Sequence, residues 1–270
     1  MTNSPADPAP RWTLACAGLS VRRAGRVVVR DVTLTLNDDE CLSLVGPNGS
    51  GKTTLMLALL GLLPPAGGTV RVNGQDFRRL SARARGRFAA YVPQNLDRVP
   101  ALRVVDVVAG GRFPHVGPLR SFTPADHAAI RAALFCCGLT ELAERPFDAI
   151  SGGERQKVLL AAAIAQNPEV LFLDEPNTGL DPAYQLELIR ILRDWLRSHH
   201  SVLLTSHDLQ LPAALGGRVL ALRQGRIVAD GPAESVLTPD VLGEIYGAPF
   251  GTATTATGVQ IILPAWWNAG

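Results

Sequence analysis

Gly46-Pro47-Asn48-Gly49-Ser50-Gly51-Lys52-Thr53-Thr54 reads G-x-x-x-x-G-K-[ST], the spacing of a phosphate-binding loop. Glycines let successive backbone N–H groups turn inward around phosphate oxygens. A loop that opens a helix adds the unpaired N–H groups and the positive end of the helix dipole. In that chemistry Lys52 holds the β- and γ-phosphates of a nucleotide and the Thr53 hydroxyl ligates Mg²⁺. The flanks suit the motif. Cys41-Leu42-Ser43-Leu44-Val45 is a short apolar run of strand character, and Leu55 to Leu60 is apolar and rich in helix formers.

Two further apolar runs end in reactive residues. Val170-Leu171-Phe172-Leu173 runs into Asp174-Glu175-Pro176, and Ser201-Val202-Leu203-Leu204 runs into Thr205-Ser206-His207-Asp208. Wholly apolar runs of this length suit strands buried on both faces of a parallel sheet. In such sheets ligands bind outside the carboxyl ends of the strands, so all three ends should meet at one edge. Adjacent carboxylates at a buried strand end need positive charge nearby, which Mg²⁺ and Lys52 would supply. Asp174 is the candidate to hold Mg²⁺, and Glu175 to act as general base on the attacking water. His207 is placed to contact the γ-phosphate. Gln94, after the strand-like Ala89-Ala90-Tyr91-Val92-Pro93, is placed to reach Mg²⁺ or the attacking water.

The elements that must hold these residues follow from the pattern. Residues 1–10 are polar and proline-rich, without the basic start and apolar core of a signal peptide. From Trp12 to about Leu36, short β-rich pieces separated by turn signals predict an antiparallel region. Thr69-Val70-Arg71-Val72 is another alternating strand, closed by a hairpin-type Asn73-Gly74. Helical patterns fill residues 101 to 166, with starts at Thr123 and Ser151, and predict a helical subdomain over about 96–165. A helix over about 182–198 and a hairpin around Gly225 follow. Residues 251–270, low in charge and containing Trp266-Trp267, carry no assignable task.

Composition narrows the function classes. The chain is 47% hydrophobic, enough for a sizeable core, with 26 basic and 24 acidic residues and a net charge of +2. That balance is no electrostatic footprint for nucleic acid, and none is expected as a partner. Cys16, Cys41, Cys136 and Cys137 lack C-x-x-C spacing and metal-site partners, so reduced thiols are expected. No stretch approaches the roughly 18–20 apolar residues of a membrane helix.

Ser151-Gly152-Gly153-Glu154-Arg155-Gln156 supplies a second anion-binding helix start, with Ser151 as N-cap. With one phosphate loop in the chain, this second site is expected to serve another subunit. Here the sequence resembles the ATP-binding cassette (ABC) ATPases over about residues 12–250. It carries their ordered motifs: phosphate loop, Gln94, signature, Asp174 with Glu175, Gly179-Leu180-Asp181, and His207. The usual signature L-S-G-G-Q reads Ile150-Ser151-Gly152-Gly153-Glu154 here.

The resemblance implies an α/β fold, a P-loop NTPase (RecA-like) core with an N-terminal antiparallel β subdomain and an inserted α-helical subdomain. It divides the chain into a lead-in (1–10), the ATPase domain (11–250) and a C-terminal extension (251–270). It implies a head-to-tail homodimer in which each ATP lies between one chain's loop and the Ser151, Gly152, Gly153 and Glu154 of the other, with Asp181 at the interface. It also implies a separate integral membrane permease, a substrate-binding protein upstream, and a peripheral position on the cytoplasmic side of the inner membrane. The aromatic residue on which the family stacks adenine is missing from Val21-Arg22-Arg23-Ala24-Gly25-Arg26, leaving the Arg23 guanidinium as the candidate.

Gly111-Arg112-Phe113-Pro114-His115, with Val236-Leu237-Thr238-Pro239 through Ile245-Tyr246-Gly247, resembles the importer ATPases for iron–siderophore, haem and cobalamin. An importer of another metal, or an exporter, remains an alternative. So does a soluble ABC ATPase acting on DNA or the ribosome, which would call for a coiled-coil insertion, a second cassette or a basic face. The cargo itself is not readable, because this subunit would never touch it.

Overall fold

The structure is a computed structural model that describes residues 10–96, 99, 101–116, 120–254 and 260–265. The expected lead-in before Pro10 and the Trp266-Trp267 pair lie outside the described residues.

The chain opens with β1 (Thr13–Arg23) and β2 (Arg26–Asn37), two long antiparallel strands where short pieces were expected. Register shifts at Leu19 and Val21 keep one ribbon continuous through the turn-like residues. Then come β3 (Cys41–Val45), α1 (Lys52–Leu59), β4 (Gly67–Val72) and β5 (Gln75–Asp76), the last two joined at Asn73-Gly74, both with positive φ. The next elements are α2 (Ala82–Phe88), β6 (Ala89–Val92), α3 (Val104–Gly110), α4 (Phe113–Val116), α5 (Pro124–Cys136) and α6 (Gly152–Gln166). After these run β7 (Val170–Asp174), α7 (Pro182–Arg197), β8 (Ser201–Thr205), α8 (Gln210–Leu215), β9 (Arg218–Arg223) and β10 (Arg226–Pro232). The chain closes with α9 (Ala233–Val236), α10 (Pro239–Tyr246), β11 (Phe250–Thr254) and β12 (Gln260–Pro264).

Two main sheets result. One is antiparallel, in the order β2-β1-β4-β5; the other has the order β10-β9-β3-β8-β7-β6 and is parallel except for β10. β3, β7 and β8 are buried along their whole length, which explains their uninterrupted apolar sequences. α1 lies between the sheets. Leu55, Met56, Ala58 and Leu59 share a core with Leu14, Leu36, Leu44 and Phe172, as befits a helix that is apolar nearly all round. A second core joins α3, α5, α6 and α7 to the other face of the parallel sheet.

The motif from Gly111 to His115 fastens this part of the helical region to α6. A Cβ on Gly111 would lie 2.1 Å from the Ala162 carbonyl oxygen, so only glycine permits this approach to α6. Arg112 donates to the Ala165 carbonyl at 2.8 Å, and the His115 ring meets the Gln166 carbonyl at 2.7 Å, satisfying the end of α6. Arg112 also pairs with the buried Asp126 carboxylate at 2.9 Å.

The C-terminal residues form more than was expected of them. β11 and β12 make a two-stranded antiparallel sheet, and Phe250 and Ile262 pack beside α10 on a third core that contains Val45. No described helix is long and apolar enough to cross a membrane.

Candidate functional site

Each reactive residue sits where an element ends. β3 stops at Val45, and Gly46 turns the chain with φ 142°. A Cβ there would lie 2.1 Å from the Leu222 carbonyl oxygen, so the loop can enter only at glycine. α1 begins at Lys52 with no side-chain cap on its first N–H groups. Lys52 is buried, and its ammonium donates to the carbonyls of Gly46 (2.8 Å) and Pro47 (3.3 Å). Burial pushes the Lys52 ammonium below its usual range, while the Glu175 and Asp174 charges oppose that shift. The Ser50 hydroxyl is buried without a partner in the described structure. Uncapped amides, a buried ammonium and an orphaned hydroxyl fit a phosphate group.

β7 delivers Asp174 against this loop. Its Oδ1 accepts hydrogen bonds from Thr53 Oγ1 at 2.9 Å and Thr205 Oγ1 at 2.6 Å, and its Oδ2 accepts from the Tyr91 hydroxyl at 3.4 Å. Thr53 and Asp174 are hard oxygen donors in contact, a set that suits a small divalent cation completed by phosphate and water. Among the described residues no group of three or more His, Cys, Asp or Glu could cage a metal unaided.

Glu175 follows in the left-handed region at φ 47°, held there by its N–H donating to Thr205 Oγ1 at 3.0 Å. That turn carries its carboxylate away from Asp174. Oε2 receives Gln94 Nε2 at 2.8 Å and Thr178 Oγ1 at 3.2 Å, and lies 3.0 Å from His207 Nδ1. Three segments distant in sequence therefore meet on one oxygen. Glu175 lines a hollow of about 150 Å³ bordered by Asn48, Gly49, Gly51, Lys52, Thr53 and Thr54. It also lines a second hollow, of about 360 Å³, shared with Gln94, Gly152, Gly153, Gly179 and Leu180.

The helix start expected to be the second anion site stands apart from the loop. Ser151 caps α6 in a capping box: its hydroxyl accepts from the Glu154 N–H at 3.3 Å, and Glu154 Oε2 accepts from the Ser151 N–H at 2.7 Å. The Ser151 hydroxyl also donates to Glu154 Oε2 at 2.7 Å, and this bond, with the one from the Ser151 N–H, holds the Glu154 carboxyl below its usual range. Ser151 and Gly152 are exposed, and no atom comes within 4 Å of a Cβ built on Gly152. None of these residues borders the phosphate-loop hollow of its own chain. Asp181 caps α7 by accepting from the Tyr184 N–H at 2.8 Å, a local task beside the interface role expected for it.

Arg23 is exposed at the end of β1 and is not among the residues around that hollow; Val28 is. Sequence reasoning took Val28 only as part of a strand. It also gave no role to Thr205, which bonds both Asp174 and Glu175, or to Tyr91. Both sit at or near the strand ends already singled out, which was the available signal.

Comparison with known proteins gives the family. The family model described as ABC transporter matches residues 29–178. The hemin import ATP-binding protein of Rhodococcus jostii is 37% identical over 96% of this chain and 89% of its own length. The iron(3+)-hydroxamate import ATP-binding protein of Bacillus subtilis is 35% identical over 87% of each chain. A solved structure of a metal-chelate type ABC transporter in an inward-facing conformation superposes with a TM-score of 0.81 at 27% identity, covering 94% of this chain and 98% of that one. On the family model and these relatives, the chain belongs to the ABC transporter family, as one of its ATPases.

Proposed function

We propose that this subunit powers uptake of a metal chelate (an iron–siderophore, haem or a cobalamin-type compound) by hydrolysing ATP as one half of a head-to-tail homodimer. The observation that carries the hydrolytic part is the meeting of Gln94, Thr178 and His207 on Glu175 Oε2, beside the Lys52 loop. The relatives' import of hemin and iron hydroxamate, and the metal-chelate type of the solved transporter, support the cargo class.

In this reading the backbone from Gly46 to Thr54 cradles the phosphates, and Lys52 leaves its carbonyl partners to pair with the β- and γ-phosphates. Thr53 and Asp174 would hold Mg²⁺, which when bound would offset the negative charge of the phosphate oxygens; Gln94, bonded here to Glu175, would have to turn to reach the ion. Glu175 orients a water and takes its proton, with Gln94 and His207 fixing the carboxylate. His207 turns to the γ-phosphate when the nucleotide is bound. Arg23 offers its guanidinium plane to the adenine. Ser151, Gly152, Gly153 and Glu154 of the second copy close over the γ-phosphate, and Asp181 joins the two sites.

A separate integral membrane permease receives the motion, with a substrate-binding protein upstream, and the dimer sits peripherally on the cytoplasmic face of the inner membrane. The test is uptake of iron-labelled hemin, iron-labelled ferric hydroxamate and cobalt-labelled cobalamin in cells lacking the chain. Complementation by the wild type but not by Lys52→Ala, with hemin or a ferric hydroxamate as sole iron source, is expected. Unimpaired uptake of both chelates and of cobalamin in the deletion strain would remove the cargo assignment.

A further inference from the structure

The loop's first residue is held by the far end of the chain. The Gly46 N–H donates to the Tyr246 hydroxyl at 3.2 Å, across 200 positions of sequence. The carbonyl of the same Gly46 accepts from Lys52 Nζ at 2.8 Å. One residue, through the two peptide units that flank its Cα, therefore links the C-terminal unit to the phosphate-binding ammonium. Gly46 is buried, so its N–H depends on a protein partner.

The C-terminal unit is built to hold that hydroxyl still. Tyr246 ends α10, and its ring lies 5.6 Å, centroid to centroid, from Phe250 at the start of β11. Both pack on a core whose buried members include Val45, the residue before Gly46, with Val219, Leu242 and Ile245. Burial raises the Tyr246 phenol to about 12, so the oxygen stays a neutral acceptor across the physiological range. On its other edge the hairpin meets the segment after His207, where Gln210 Nε2 donates to the Ile262 carbonyl at 3.3 Å.

We propose that Tyr246 is a positioning residue for the phosphate loop, and that the α10–β11–β12 unit sets ATP affinity by fixing Gly46 through it. Tyr246 touches no nucleotide; it acts through Gly46 on the loop and on Lys52. This rests on the reading of the loop as the ATP site. Loss of the one acceptor leaves the loop entry free to shift, so binding suffers before turnover does.

The experiment compares full-length Tyr246→Phe with Ile245→Val, which trims the same core without touching Gly46. ATP turnover, affinity for a fluorescent N-methylanthraniloyl ATP, and amide exchange at Gly46 in ¹⁵N-glycine-labelled protein are measured. Tyr246→Phe should raise KM and Kd about three- to tenfold, the range of one hydrogen bond, with kcat little changed and faster Gly46 exchange. Ile245→Val should lower the melting temperature while leaving KM and Gly46 exchange at wild-type values. Wild-type KM and Gly46 exchange in Tyr246→Phe would overturn the proposal. So would an equal rise of KM in Ile245→Val, which would make Tyr246 a merely structural residue. Lys52→Ala is the separate arm: if it binds the fluorescent ATP as tightly as wild type, the loop is not the ATP site and the proposal falls with that reading.

Discussion

His207 Nδ1 lies 3.0 Å from Glu175 Oε2, joining the end of β8 to the residue after β7. Gln94 Nε2 reaches the same oxygen from the segment after β6 at 2.8 Å. The parallel order β8-β7-β6 brings three sequence-distant strand ends side by side, and the left-handed turn at Glu175 aims its carboxylate at both partners.

A carboxylate so placed is suited to take a proton from water. Glu175→Gln preserves size and hydrogen-bonding capacity but removes the basicity. It should lower kcat by about a hundredfold or more while ATP affinity stays within a few-fold of wild type. Steady-state turnover and fluorescent-nucleotide titration check both parts; unchanged kcat would remove Glu175 as the base.

His207→Ala should cost turnover rather than binding. Its ring steadies Glu175 before the γ-phosphate arrives and is proposed to contact that phosphate afterwards. A fall in kcat of about ten- to a hundredfold with little change in KM is expected, since the contact matters most in the transition state. A rise in KM at constant kcat would instead make His207 a simple binding group.

Ser151 is exposed on α6 and does not border its own chain's phosphate-loop hollow. Ser151→Arg should therefore abolish hydrolysis and spare nucleotide binding by the monomer. Mixing it with Lys52→Ala should restore part of the activity, because one of the two composite sites then pairs an intact loop with an intact signature. No restoration on mixing, or loss of monomer binding, would contradict action in trans.

The pair of Arg112 and Asp126 anchors the helical region to the end of α6. The Thr123 hydroxyl and N–H, with the Arg112 guanidinium, hold the Asp126 carboxyl down at about 2. Asp126→Asn leaves the largely covered Arg112 side chain, 11% exposed, without a counter-charge and should cost about 3 kcal/mol near neutral pH. A depressed carboxyl contributes stability that is complete above its unfolded value of about 4 and lost as pH falls toward 2. The gap in melting temperature between wild type and Asp126→Asn should therefore narrow over that acidic window. A gap independent of pH would show that packing, not charge, is what the substitution removes.

Local chemistry was legible in the sequence and remote pairing was not. The Asn73-Gly74 turn, the caps at Thr123 and Ser151, and the buried strands before Gly46, Glu175 and Ser206 are all set by neighbours in sequence. The convergence of their ends followed from a general property of parallel sheets. Thr205 bridging Asp174 and Glu175 depends on strand register, which no apolar run encodes. The bond between Gly46 and Tyr246 spans 200 positions, and the segment that ends in Tyr246 stands out in the sequence only by its resemblance, which names no partner for the hydroxyl. The hairpin of β11 and β12 escaped notice because its strands gain their partners only on the third core. Asp181 shows the converse: a residue singled out for an interface also performs an ordinary capping task.

The most direct test of the account uses tagged Glu175→Gln chain, saturated with ATP and purified from detergent-solubilised membranes. The account predicts a stoichiometric complex of two copies with a multi-span permease, which releases the chain when Ser151→Arg is added to the same copy. Recovery of ribosomes or DNA, or of the chain free of any membrane protein, would contradict it.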